Sequence, residues 1–173
     1  MKLLFEIDKK NYKENGTVFS RPSVRAIIEK DGKIAMVHSL KYDYYKFPGG
    51  GIEKDESHIE ALVREVREET GLEVIVPSVR EFGYIHRIEK GEKEDIFIQD
   101  NFYYFCDVTE TVSEQNLDDY EKEEEFIFEF VLPETAINVN KNHIHGEKDN
   151  NPKFITMIER ENKIIEMLTE EFD

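Results

Sequence analysis

Apolar residues recur along this chain at two spacings, every second position in short runs and every third or fourth in longer ones. Ile59, Leu62, Val63 and Val66 form one stripe on a wheel turned at about 100° per residue, which predicts an amphipathic helix. Ser57 followed by Glu60 is a capping box that opens it, and Gly71 closes it as a residue free to adopt left-handed backbone. The helix is therefore about four turns at most. Phe154, Met157, Ile158, Ile164, Ile165 and Leu168 form a second stripe that predicts a closing helix. That stripe docks on the sheet or, alternatively, makes a homodimer contact. A short helix starts at Pro133, where proline suits the first helical position.

Alternating runs predict strands at 2–7, 23–29, 34–37, 73–76, 80–88, 96–108 and 126–132. Asp31-Gly32 is a hairpin signal, so 23–29 and 34–37 are expected to pair antiparallel. Within 23–29, Val24, Ala26 and Ile28 share one face, and Arg25, Ile27 and Glu29 share the other. The runs 80–88 and 96–108 read as an aromatic hairpin across the charged turn 89–94, with an irregularity expected around Asp100 and Asn101. Tyr42, Tyr44 and Tyr45 are read mainly as core, with stacking on a nucleobase as the alternative. The acidic stretch 113–125 is read mostly as solvated loop. His86 is read as structural. His143 and His145 are expected on one side of a strand, without a third ligand for zinc. Helices set among strands give an α+β or α/β class with helices on both sides of a mixed sheet, in one domain spanning 1–173.

Composition narrows the partners. A hydrophobic fraction of 39% is enough for a core, whereas 36% charged residues must lie mostly outside. The formal net charge of -16 opposes general affinity for a nucleic acid polymer or an anionic membrane. One cysteine, Cys106, excludes an internal disulfide, fits a reducing compartment, and in its aromatic run reads as a buried structural thiol. With no long apolar run and no leader pattern at Met1, the expected location is cytoplasmic.

Glu65, Glu68 and Glu69 stand at i, i+3 and i+4 on a face separate from the apolar stripe. Like charges so placed repel by about 0.2–0.5 kcal/mol per pair on a bare helix, a cost that a divalent cation removes. Magnesium suits such a cluster, because it takes oxygen ligands and keeps sites for water and substrate phosphates. Arg64, beside Glu68 on the wheel, is placed to orient a carboxylate. Upstream, Pro48-Gly49-Gly50-Gly51 lets backbone approach backbone, or a bound group, where a side chain would collide, and Gly50 is a candidate substrate contact. Arg25, a charge in an apolar strand, is the other candidate, able to meet a phosphate with a planar fork; pairing with Glu29 is the plainer alternative.

At these residues the chain resembles the Nudix hydrolases (MutT-like). Their box asks for Gly, five residues, Glu, seven residues, Arg-Glu, an aliphatic, any residue, Glu-Glu, any residue, Gly and an aliphatic. Gly50, Glu56, Arg64, Glu65, Val66, Glu68, Glu69, Gly71 and Leu72 hold those places. The resemblance implies the Nudix fold, an α/β/α sandwich, and Mg²⁺, with Mn²⁺ as a substitute. It implies Glu65, Glu68, Glu69 and the Gly49 carbonyl as metal ligands, Arg64 as their guide, and Glu56 at the helix start or on the metal through water. Gly50 and Gly71 would also be structural. The implied reaction is hydrolysis of a phosphoanhydride bond in a nucleoside diphosphate linked to another moiety, by a metal-activated water. A glutamate outside the box often joins such sites, and Glu123, Glu124, Glu125 and Glu129 are the candidates. Two other readings stand beside this one: a catalytically silent domain that binds a nucleotide as a regulator, and a diphosphate isomerase, which Cys106 alone supports little.

Overall fold

The computed structural model describes residues 1–171. Its elements in chain order are β1 (Leu3–Asp8), β2 (Val18–Ser20), β3 (Ser23–Ile27), β4 (Glu29–Lys30), β5 (Lys33–Ser39), β6 (Tyr44–Lys46), α1 (His58–Thr70), β7 (Leu72–Val74), β8 (Arg80–Lys90), β9 (Ile96–Phe105), β10 (Val108–Val112), α2 (Asp119–Glu123), β11 (Phe126–Val131), α3 (Pro133–Asn142) and α4 (Pro152–Glu171).

The strands β1, β8 and β9 lie side by side, with β2 and β3 both paired to the far edge of β9. This sheet is mixed: β8 and β9 are antiparallel, while β1, β2 and β3 run parallel to their neighbours. A second, antiparallel sheet places β5 between β11 and the pair β4 and β6, and β7 with β10 forms a ribbon. The core has two sides. Leu62 and Val66 of α1 pack with Val24, Ala26, Ile28 and Leu72, whereas Ile164, Ile165 and Leu168 of α4 pack with Ile27, Met36, Ile85 and Tyr103. Helices thus cover both faces of the strands, and the closing stripe is taken up by the chain's own sheet.

The expected hairpin at Asp31-Gly32 is present only at its tip, where Glu29 faces Ile34 and Lys30 faces Lys33. Before Ile28 the chain leaves that partner, and β3 instead runs parallel to β9, from Ser23 opposite Asn101 to Ile27 opposite Phe105. Every residue of β3 is buried, so the strand needs cover on both faces, which an interior place between α1 and α4 supplies. The run 96–108 likewise ends at Phe105, and its tail departs as β10 to pair with β7. Asp100 and Asn101 keep regular register opposite His86 and Ile85; the irregularity lies on β8 between Glu81 and Gly83.

Tyr44 and Tyr45 are core residues, as expected. His86 is structural, its Nδ1 lying 2.8 Å from Asp100 across the hairpin. His143 and His145 do not share the side of a strand. They follow α3, where His143 meets Asp43 and His145 is buried between the carbonyls of Tyr42 and Asn140. The stretch 113–125 is less solvated than its composition suggests: it contains α2, and Glu121 and Glu124 are buried. Cys106 is buried and free, with burial pushing its thiol up to about 12, so it is inert at neutral pH. Among the described residues no helix is long and apolar enough to cross a membrane.

The helix α1 forms where its caps demand. Ser57 Oγ accepts from the Glu60 amide, Glu60 accepts from the Ser57 amide, and Gly71 adopts φ 73°. A Cβ on Gly71 would also lie 2.0 Å from the Ser113 carbonyl oxygen. Ser57→Ala should therefore lower stability by about 1 kcal/mol. Gly71→Ala should cost more than the ~1–2 kcal/mol of left-handed backbone alone, because the overlap adds to it. Urea denaturation of both variants checks this, and a Gly71→Ala loss no larger than that of Ser57→Ala would contradict it.

Candidate active site

The site is assembled from the loop that follows β6. Asn140 of α3 accepts from the Tyr45 amide at 2.7 Å and donates to the Tyr45 carbonyl at 3.0 Å, while Glu161 of α4 accepts from the Phe47 amide at 2.7 Å. These bonds satisfy backbone groups that an edge strand leaves open. Beyond Phe47 the loop is laid along β3: the Ala26 amide donates to the Pro48 carbonyl at 2.8 Å and the Val24 amide to the Gly50 carbonyl at 3.0 Å. The glycine run is held on both sides before any ligand is considered.

Helix α1 meets this loop through Glu69, which is only 1% exposed. One carboxylate oxygen accepts from Lys46 Nζ at 2.7 Å, and the other accepts from the Gly49 amide at 2.7 Å. Burial, the largest single effect, pushes the Lys46 ammonium down, but the charge and hydrogen bond of Glu69 together with Tyr120 outweigh it and the net shift is upward. The Gly49 carbonyl accepts from Arg25, so neither polar group of Gly49 points freely into solvent. Gly50 lies against Glu65: a Cβ there would come 2.5 Å from Glu65 Oε1. A side chain at 50 would displace that carboxylate.

Arg64 gathers the remaining carboxylates. It donates to both oxygens of Glu56 at 2.7 and 2.8 Å, to Glu65 at 2.7 Å, to Glu68 at 3.3 Å and to the Gly51 carbonyl at 3.0 Å. The hydrogen bond to Glu56 leads the effects that raise the Arg64 pKa, and the same bond holds Glu56 below the usual carboxylate range. Glu65 moves the other way: burial raises it more than the Arg64 contact lowers it. A carboxylate placed so holds spare affinity for positive charge.

Two recesses open on either side of this junction. One, of about 310 Å³, is lined by Glu53, Arg64, Glu65, Glu68 and Asp118, with Arg21 at its wall. The other, also about 310 Å³, has Arg25 and Lys46 at the glycine loop and is lined further by Tyr44, Arg87, Phe97, Tyr120 and Phe126. Arg25 thus enters the second recess, while Gly50 lines neither.

Among the described residues no three His, Cys, Asp or Glu side chains are grouped closely enough to cage a metal ion. Magnesium asks for less, since one or two carboxylates with waters and substrate oxygens satisfy it. Glu65 and Glu68 on one face of α1, with Asp118 in the same recess, are hard oxygen donors of that kind.

Of the four acidic residues expected outside the helix, only Glu124 lines a recess of the site, the basic one. Glu123 is exposed on Lys41, Glu124 accepts from Tyr44 and Lys148, Glu125 is exposed, and Glu129 accepts from Tyr45 beside His38. The glutamate that reaches α1 is Glu121, which sequence reasoning passed over. It is 5% exposed, and burial first, then the charge of Glu69, raises it. The start of α2 was legible, since Asp118 and Glu121 repeat the spacing of Ser57 and Glu60 and form the same reciprocal cap, but nothing in that spacing brings Glu121 to α1.

A family model described as NUDIX domain matches residues 19–154. Over 57 residues the chain is 49% identical to the CTP pyrophosphohydrolase of Escherichia coli (strain K12), a stretch covering 31% of this chain and 42% of that protein. Over 53 residues it is 42% identical to the RNA pyrophosphohydrolase of Xanthomonas campestris pv. campestris (strain B100), covering 30% of this chain and 26% of the relative. The chain thus spans less than half the length of these curated relatives. The solution structure of the E. coli ORF135 protein is 26% identical, with a TM-score of 0.50 over 70% of this chain and 80% of that one. A NUDIX hydrolase from Nitrosomonas europaea, 21% identical, has the same fold at a TM-score of 0.55 over 82% of this chain and 87% of its own.

The Lys46 and Glu69 pair is buried on both sides, at 6% and 1% exposure. Lys46→Met would leave an uncompensated carboxylate and should cost about 3–5 kcal/mol of stability, part of which Glu69→Gln added to it should restore. Denaturation of the single and double variants measures this. A loss below about 1 kcal/mol for the single change would show that the pair does not hold the loop.

Proposed function

The chain belongs to the NUDIX domain family, and from that premise we propose that it hydrolyses a phosphoanhydride bond in a nucleoside diphosphate derivative. The observation that carries this reading is the junction itself. One helix presents oxygen donors to an acidic recess, and its Glu69 is tied by Lys46 and Gly49 to the wall of a basic one. A diphosphate spanning that junction would meet positive charge on one side and carboxylates able to hold a cation on the other.

Glu65 and Glu68 are the first metal-holding residues in this proposal, with Glu69 contributing from the loop junction and Arg64 orienting Glu65 and Glu68. A divalent metal there, Mg²⁺ with Mn²⁺ as a substitute, supplies charge neutralisation at the phosphate oxygens and lowers the pKa of an attacking water. Arg25 holds a non-bridging phosphate oxygen by its planar fork. Gly50 supports the site by letting Glu65 lie against bare backbone. Glu121, buried against Glu69 and lining neither recess, supports that junction from behind in this proposal, and Glu124 is the carboxylate from outside the box that faces the basic recess. Phosphoanhydride cleavage asks mainly for positioning and charge stabilisation, so no protein nucleophile is needed.

The names of the CTP and RNA pyrophosphohydrolases support a nucleotide phosphate chain as the target. A net charge of -16 favours a small nucleotide derivative over an extended polymer backbone.

Release of phosphate, pyrophosphate and nucleotide from a panel of nucleoside triphosphates, sugar nucleotides and dinucleoside polyphosphates, with Mg²⁺ or Mn²⁺, tests the reading. Glu68→Gln should lower kcat/KM by about 100-fold or more, the size of losing one preorganised charge. Arg64→Lys, which cannot reproduce the fork, should raise the metal concentration needed by about 10–100-fold. Nucleotide binding without turnover of any panel member would instead favour a silent, ligand-binding regulator.

A further inference from the structure

The basic recess holds more positive charge than its place beside the glycine loop explains. Arg25, Lys46, Arg87, Lys148, Lys153 and Arg160 all line it, against the single carboxylate of Glu124, in a chain of net charge -16. Much of this charge has a carboxylate partner. Lys46 pairs with Glu69, Arg87 with Glu89, Arg160 with Glu161, Lys148 with Glu124 and Lys153 with the exposed Glu92. Arg25 has no carboxylate partner among the described residues. Its Nε and that of Arg87 are buried without any hydrogen-bond partner, in side chains belonging to residues only 9% and 5% exposed. A buried donor left unpaired is costly, so such groups point to an acceptor that arrives from outside.

The cations are also spread out. Arg25 is level with Tyr103 on β9, whereas Arg87 is level with Gln99, four residues along the same strand. At the rise of a β-strand that is about 13 Å of backbone. Arg87 lies away from the glycine loop, where its Nη2 donates to the Lys153 carbonyl at 2.8 Å, with Arg160 packed behind on Asn101 at 2.7 Å. Burial, and then the neighbouring charge of Arg160, brings the Arg87 guanidinium down to about 10, as expected where cations crowd. Of these cations Arg160 lies past residue 154, where the family match ends, on the closing helix, whereas Arg87, Lys148 and Lys153 fall inside the matched stretch.

We propose that Arg87, Lys148 and Lys153, backed by Arg160, form a second anion subsite. It takes a phosphoryl group that the substrate carries in addition to the diphosphate undergoing cleavage. This rests on the hydrolase reading for the identity of the substrate, and it narrows the class. The preferred substrates bear a further phosphate, on a sugar or at the end of a longer phosphate chain, and are not diphosphates joined to a neutral group. Arginine forks and lysine ammonium groups at one wall are the donors that a tetrahedral, multiply charged phosphate accepts best.

Binding separates this subsite from turnover. Matched pairs that differ by one phosphate and nothing else, NADP⁺ with NAD⁺ and coenzyme A with dephospho-coenzyme A, are titrated by calorimetry with Ca²⁺ in place of Mg²⁺, alongside inorganic phosphate alone. The phosphate-bearing member of each pair should bind at least about tenfold more tightly, the scale of one charge-assisted hydrogen bond. Lys153→Gln and Lys148→Gln, changes at the mouth of the recess, should each shrink that ratio. Arg87→Lys, which keeps a charge beside Glu89, should shrink it further. Equal affinity within each pair overturns the proposal, and so does a pair difference that none of the three variants changes. Inorganic phosphate binding with no pair difference also overturns it, by assigning the subsite to an anion from solution. Absence of hydrolysis under Mg²⁺ with the pair difference intact would count against the hydrolase reading and leave the subsite standing.

Discussion

A buried carboxylate with both oxygens engaged holds this molecule's working parts together. Glu69 belongs to α1, yet its partners, Lys46 and the Gly49 amide, belong to the end of β6 and the loop beyond. An ionised carboxylate at 1% exposure is tolerable only because a full charge and a backbone donor replace the water it lost. The helix and the loop are therefore placed relative to each other by electrostatics that cannot relax without leaving one charge stranded. Leu62 and Val66 add apolar burial on the helix's other face, which fixes its depth but not its register against the glycines.

From that junction the charge of the protein is sorted by position. Arg64 collects Glu56, Glu65 and Glu68 on one side, and Arg25 turns through the Gly49 carbonyl toward the other. Basic and acidic linings fall in separate recesses, Arg25 and Lys46 in one and Glu65, Glu68 and Asp118 in the other. Such an arrangement suits a polyanion that reaches the acidic side only in the company of a cation. On the function proposed above, it would let a chain of net charge -16 offer phosphate a favourable place to bind.

The support for this sorting comes from helices remote in sequence. Asn140 and Glu161, buried on α3 and α4, hold the Tyr45 and Phe47 backbones, and Arg160 beside Glu161 reaches the basic recess. The closing helix is more than a cover for the core, since the same turn that secures the loop also contributes a cation to the recess.

The local physics of α1 was legible in the amino-acid sequence. Ser57, Glu60 and Gly71 bound α1 because capping satisfies backbone groups within a few residues, and the apolar stripe at helical spacing faces the core because both are properties of one helix. The box of Gly50, Arg64 and the glutamates could be read for the same reason. What only the tertiary structure decided were choices among partners far apart in the chain. Strand alternation says which residues share a face but not which strand lies alongside, so β3 paired with β9 and left the hairpin at Asp31-Gly32 with only its tip. Composition marked 113–125 as acidic but could not say that Glu121 would be the carboxylate buried against Glu69. Pairing, burial and the meeting of charges depend on where the chain returns in space, and short-range pattern carries no information about that return.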